Sequence, residues 1–291
     1  MDLVLESGTM IQVLLGSPRE TFLLSMDAVT FQSVSKFFAH RPALFNWFGR
    51  ERVGRTRALE DVTFSVAAGQ IIVFLGPNGS GKTTLLKLVS TILLPDSGRV
   101  IVKSADTQID AQSVRRHVGF AVSSERSFFP RLSACENLDF FAALEDVPRR
   151  SRREMLERTL NSVGLAQHAD TLVMKFSSGM FQRLGMARAL IKQPSVLLLD
   201  EPTRSIDPEC AQHCWHIVRT LAQNGTAVVV ATHSFEEAVR LGDQVAVLFH
   251  GALIASRQLS ICNGVEDLRS FYFQTTGATD NVQYAFSSEA L

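Results

Sequence analysis

The stretch that decides the fold is residues 71–84, IIVFLGPNGSGKTT. Ile71 to Leu75 is a short β-branched and apolar run, the texture of a strand buried on both faces in a parallel sheet. Gly76, Gly79 and Gly81 follow, and with Pro77, Asn78 and Ser80 they form a loop whose backbone N–H groups can approach an anion closely. Lys82 adds a point charge suited to β- and γ-phosphates, and the Thr83 hydroxyl suits a Mg²⁺ ligand. Thr84 and Leu85 to Val89 continue as a helix whose positive dipole end faces the same anion. Every fixed position of G-x-x-x-x-G-K-[ST] is filled, and strand, loop and helix come in the order the chemistry needs. The stretch therefore predicts a site for the phosphates of a nucleoside triphosphate.

Working outward, β-texture recurs before this loop at Val29 to Phe38 and Ala58 to Val66, and after it at Gly98 to Val102 and Val118 to Val122. His40 to Arg57 reads as a solvated loop carrying Arg41, Arg50, Arg52, Arg55 and Arg57, with lipid headgroups or a membrane partner as the sharper reading. From Ser123 to about Ile191 the pattern turns helical. Ser133 with Glu136 spells a capping box ahead of Leu138, Phe141 and Leu144. A second helix begins at Arg149, Arg150, Arg152 and Arg153, and a third runs from Met180 to Ile191. Strands return at Ser195 to Leu199, Ala227 to Ala231 and Val245 to Phe249, with helices between them. This alternation predicts a parallel sheet with a helical insert at about 123–190. A short strand at Ala252 to Ala255 and an amphipathic stretch near Val265 to Phe273 close the pattern.

Composition narrows the function. The chain has 291 residues, enough for one large α/β domain with an insert, and 46% of them are hydrophobic. Its 29 Lys and Arg balance 29 Asp and Glu, which gives no general reason to expect nucleic acid as a partner. The four cysteines lack framework spacing and fit a reduced compartment. Cys210, His213, Cys214 and His216 follow Pro208 in a predicted helix, where ordinary packing is favoured over zinc. No apolar run reaches the ~20 residues that span a bilayer. Residues 1–25 carry Asp2 and Glu6 early and do not read as a secretion signal; they are read as an appendage before a domain over 26–257, with 258–291 as a tail.

The strand Val196 to Leu199 ends in Asp200-Glu201-Pro202-Thr203, placing two carboxylates where open α/β sheets bind ligands. Asp200 suits holding Mg²⁺, and Glu201 suits orienting and deprotonating a water for attack on a γ-phosphate. The strand Ala227 to Ala231 delivers Thr232 and His233, and His233 can reach the same phosphate.

With these motifs in order, the chain resembles the nucleotide-binding subunit of an ATP-binding cassette (ABC) transporter. Phe176-Ser177-Ser178-Gly179-Met180 stands where that family has its L-S-G-G-Q signature, continued by Phe181-Gln182-Arg183 and Met186 to Leu190. Thr203 to Pro208 matches the turn after the family's catalytic glutamate, and Ala231-Thr232-His233-Ser234 its histidine switch. Phe38, after Val34-Ser35-Lys36, corresponds to the aromatic that stacks on adenine. The resemblance covers roughly residues 27–275, and no N-K-x-D guanine reader is present. It implies a P-loop NTPase core with a mostly parallel sheet, an N-terminal antiparallel β part and an inserted α-helical subdomain. It further implies ATP and Mg²⁺ as ligands, and hydrolysis with Glu201 and His233. Each ATP would lie between the phosphate loop of one cassette and Ser177 and Gly179 of another, an identical chain or a second cassette. The partner would be an integral membrane permease, with this chain peripheral at the cytoplasmic face of the cell membrane.

Two departures stand out. The signature reads S-S-G-M, which the resemblance tolerates because Met180 lies beyond the phosphate contact. The Gln that the family carries after the Val118-Gly119-Phe120 strand is absent, leaving Ser123, Ser124 and Glu125 as oxygen-bearing alternatives. The Glu125-Arg126-Ser127-Phe128 run resembles a subset of bacterial exporters, some handling polysaccharide, lipid or drug-like cargo. A soluble ABC ATPase outside transport and a nucleotide-dependent regulatory module are the rival readings.

Overall fold

The computed structural model describes residues 27–40, 54–122 and 127–277. Residues 1–26, the middle of the basic stretch (41–53), the segment 123–126 and the tail from 278 lie outside the described residues. The three candidates for the missing Gln, Ser123, Ser124 and Glu125, fall in that set.

Strand β3 (Ile71–Leu75) is buried at every position. Alternation sends Ile71, Val73 and Leu75 into one apolar cluster and Ile72 and Phe74 into another, so this strand divides the core. Around it a six-stranded sheet is ordered β10-β9-β3-β8-β7-β6, comprising β6 (Val118–Val122), β7 (Val196–Asp200), β8 (Ala227–Thr232), β9 (Gln244–Phe249) and β10 (Ala252–Gln258). All its pairs are parallel except β10 with β9. A second, antiparallel sheet has the order β2-β1-β4-β5, from β1 (Asp27–His40), β2 (Gly54–Ala67), β4 (Ser97–Val102) and β5 (Ala105–Asp106).

Helix α1 (Lys82–Val89) contributes Leu85, Leu86, Leu88 and Val89 to the core shared with the antiparallel sheet, and α2 (Ala111–His117) adds Val114. Between β6 and β7 come α3 (Ala134–Leu144), α4 (Arg149–Ser162) and α5 (Ser178–Leu190). The Ser133 capping box forms in both directions: Glu136 N–H donates to Ser133 Oγ at 3.2 Å and Ser133 N–H to Glu136 Oε2 at 2.7 Å. Helices α6 (Pro208–Gln223), α7 (Phe235–Leu241) and α8 (Val265–Thr276) complete the other face of the parallel sheet.

One expectation is corrected. His40 belongs to β1, and Gly54 to Arg57 belong to β2 rather than to a loop; the pairs run out to Phe38↔Thr56 and His40↔Gly54. Arg55, Thr56 and Arg57 are all exposed, so this end of the hairpin carries no inside–outside alternation for a sequence reading to detect.

Candidate nucleotide site

Register sets the site. Leu75 pairs with Thr232, Ala231 with Asp200, and Asp200 with Val122, so the carboxyl ends of four parallel strands finish level. The phosphate loop, the Asp200–Glu201 pair, His233 and the last residue of β6, Val122, all stand at that edge, where ligands bind in open α/β sheets.

The loop is held open by close backbone approach. A Cβ on Gly76 would fall 2.1 Å from the Leu248 carbonyl oxygen, and one on Gly81 would fall 2.4 Å from that of Ala58. Gly81 also has φ +107°, a value L side chains rarely adopt, and it sits at the N-cap of α1. Pro77 is partly exposed, Asn78 and Gly79 are exposed, and Ser80 is buried with its Oγ lacking a hydrogen-bond partner. Lys82 is buried and its Nζ donates to the carbonyls of Gly76 at 2.7 Å and Pro77 at 3.0 Å, which holds the ammonium across the loop. Burial pulls the Lys82 pKa down, opposed by the charges of Glu201 and Asp200.

Thr83 Oγ1 donates to Asp200 Oδ2 at 2.9 Å, joining the start of α1 to the end of β7. Asp200 is buried, and that burial raises its carboxyl pKa; the Thr83 hydrogen bond and Lys82 work against the shift, while Glu201 adds to it. Glu201 takes a left-handed conformation at φ 52°, anchored by its N–H donating to Ala231 O at 2.8 Å. A non-glycine residue held there stores about 1–3 kcal/mol of backbone strain. Its carboxylate lies against His233 Nδ1, 2.9 Å from Oε1 and 2.8 Å from Oε2. Thr84 is partly buried on the first turn of α1.

The remaining residues singled out by sequence stand apart from this cluster. Ser177 caps α5 by accepting from Met180 N–H at 3.2 Å and is exposed. Gly179 is buried against α6, where a Cβ would fall 2.5 Å from Cys210 Sγ. Neither has a hydrogen bond to the phosphate loop, Asp200 or Glu201 among the described residues. Phe38 keeps 40% of its surface exposed on β1, with Lys36 Nζ 5.9 Å from its ring centroid. Cys214 packs into the core, and among the described residues no group of three or more His, Cys, Asp or Glu is placed to hold a metal.

Sequence reading missed Glu237. It is buried on α7, and its carboxylate accepts from Thr203 Oγ1 at 2.6 Å and from Trp215 Nε1 at 3.4 Å.

A family model described as ABC transporter matches residues 59–204, just over half of the chain, and spans the phosphate loop, the signature and the carboxylate pair. The chain belongs to the ABC transporter family. Among curated ABC relatives it is 37% identical over 205 residues to the daunorubicin resistance ATP-binding protein DrrA3 of Streptomyces coeruleorubidus, covering 70% of this chain and 65% of that one. It is 35% identical to the Nod factor export ATP-binding protein I of Ralstonia nicotianae, covering 71% and 64%. The chain thus spans just under two thirds of the length of these relatives. An ABC cassette solved as a dimer in a post-hydrolysis state with ADP and Pi superposes with a TM-score of 0.66 at 25% identity, over 79% of this chain and 98% of that one. The ADP conformation of another ABC cassette superposes at 0.70 and 21% identity, over 91% of this chain and all of that one, and shows the fold alone.

Proposed function

We propose that the chain binds and hydrolyses ATP and that the energy drives export through a separate membrane permease, with residues 26–257 as the nucleotide-handling unit. The observation that carries this reading is the convergence of Lys82, the Thr83–Asp200 pair and the Glu201–His233 pair on one sheet edge. The unpartnered Ser80 hydroxyl and the glycine-only backbone at Gly76 and Gly81 fit a phosphate cradle. The Thr83 hydroxyl and Asp200 carboxylate offer two adjacent oxygens, which suits Mg²⁺ better than a soft metal. When bound there, Mg²⁺ supplies neutralisation of charge on the phosphate oxygens.

In this reading Glu201 orients a water molecule and takes its proton as the water oxygen attacks the γ-phosphorus and the bond to the ADP oxygen breaks. His233 Nδ1–H can donate to the Glu201 carboxylate, and a protonated Nε2 would donate to a phosphate oxygen. Ser177 and Gly179 serve the ATP on a second cassette, and Phe38 offers its exposed ring to adenine. The dimeric state named for the solved cassette supports that pairing. Export is supported by what two relatives are named for, daunorubicin resistance and Nod factor export. No helix among the described residues is long and apolar enough to cross a membrane, and in this reading the crossing belongs to the permease.

The test is to recover the tagged full chain from solubilised membranes, identify a multi-span protein that accompanies it, and measure phosphate release by the chain alone and by the pair. Faster release by the pair is expected. No accompanying spanning protein, together with no phosphate release, would overturn the reading.

A further inference from the structure

We propose that Glu237 is a positioning residue that ties the loop carrying Glu201 to the loop carrying His233, so that the two side chains meet. The inference rests on the ATPase reading above. Thr203 lies two residues after Glu201, and Ser234, the cap of the helix that carries Glu237, directly follows His233. The Glu237 carboxylate accepts from Thr203 Oγ1 at 2.6 Å and from Trp215 Nε1 on α6 at 3.4 Å, and its backbone N–H donates to Ser234 Oγ at 3.2 Å. In front of this bridge stands the 2.8 Å Glu201–His233 contact. The two loops are therefore joined twice, once through the Glu201–His233 contact and once through Thr203 and Glu237, which stands on the helix that follows His233.

The donors and acceptors are matched in one direction. Thr232 Oγ1 accepts from Ser234 N–H at 3.1 Å, which holds the turn that leads from His233 into α7. The indole N–H of Trp215 can only donate. Two donors thus meet one buried carboxylate. A buried network satisfied in this way rigidifies what it joins, and a half-satisfied one is strongly unfavourable. Misplacing a catalytic group by about 1 Å can lower a rate by about a hundredfold without touching substrate affinity. Nothing in the network needs to contact ATP for this effect. Burial raises the Glu237 carboxyl pKa, and the hydrogen bonds from Thr203 and Trp215 work against that shift.

The test uses the full chain with Glu237→Gln, Glu237→Ala, Thr203→Val and Trp215→Phe. Two readouts are taken: phosphate release with ATP affinity, and the NMR resonance of the His233 ring, assigned by its loss in His233→Ala. Expected are a fall in kcat of about tenfold for Thr203→Val and Glu237→Gln and a larger one for Glu237→Ala, since Gln keeps one acceptor oxygen. ATP affinity stays within about twofold, and Trp215→Phe, which frees neither loop, keeps wild-type kcat. The His233 resonance shifts in the Thr203 and Glu237 variants and not in Trp215→Phe. Wild-type kcat and an unmoved resonance in Thr203→Val and Glu237→Gln would overturn the inference. So would an equal fall in kcat for Trp215→Phe, or a parallel loss of ATP affinity, either of which marks general packing. If the wild-type chain releases no phosphate, the ATPase reading fails, while the His233 resonance still decides whether Glu237 ties the loops.

Discussion

His233 Nδ1 lies 2.8 Å from Glu201 Oε2, although the two residues leave different strands and are 32 positions apart. The parallel pairing of β7 with β8 brings them together, and the left-handed turn at Glu201 aims its carboxylate back along the sheet edge. His233→Ala should therefore lower phosphate release by about a hundredfold while ATP affinity stays within a few-fold, because in the proposed mechanism the imidazole serves the reacting phosphate. Steady-state rates and a nucleotide titration of the same variant check both halves.

Lys82 should act on binding itself. Its ammonium is buried and bridges two loop carbonyls, so Lys82→Ala removes a point charge from the cradle and leaves those carbonyls without a donor. ATP affinity is expected to fall by about tenfold or more. Fluorescence titration with a labelled ATP analogue measures this, and unchanged affinity would remove Lys82 from the phosphate site.

Gly179→Ala tests the seat of the signature helix. The added methyl would fall 2.5 Å from Cys210 Sγ and 2.8 Å from its Cβ, so α5 and α6 must separate. Overpacking of this kind costs about 1–3 kcal/mol. Thermal unfolding should register that loss, and ATP-driven dimerisation followed by light scattering should weaken with it.

Cys214 should resist thiol reagents in the folded chain. It is 1% exposed, and burial pushes its thiol pKa up from 9.0 to about 12. Thiolate is the reactive form, so labelling at Cys214 should await unfolding, as mass spectrometry with and without denaturant would show. The same shift bears on stability. As pH rises above 9.0 the unfolded chain gives up this proton while the native chain keeps it, so the Cys214 contribution falls progressively until about pH 12.

Much of this architecture was legible from local pattern. The phosphate loop announces itself because strand, glycines, Lys82 and Thr83 are contiguous, and the Asp200–Glu201 pair because it ends an apolar run. Two capping signals show where such reading stops. Ser133 with Glu136 and Ser234 with Glu237 spell the same S-x-x-E pattern, and in both the backbone N–H of the glutamate donates to the serine Oγ at 3.2 Å. Only Glu136 returns its carboxylate to the serine backbone. Glu237 instead turns inward to Thr203 and Trp215, brought close by strand order and helix packing far along the chain. The β2 extension was hidden for the opposite reason, since Arg55 and Arg57 have no buried face to create alternation. Ser177 and Gly179 were legible only through their place in an ordered set of motifs; among the described residues they have no hydrogen bond to the glycine-rich loop, Asp200 or Glu201.

The most direct test of the account is phosphate release from Mg–ATP by the wild-type full chain and by Glu201→Gln, with ATP affinity measured on both. Glu201→Gln removes the base and leaves Lys82, Thr83 and Asp200 in place, so binding should stay within a few-fold while turnover falls by about a hundredfold or more. Wild-type turnover in Glu201→Gln, or no phosphate release by the wild-type chain with its membrane partner, would contradict it.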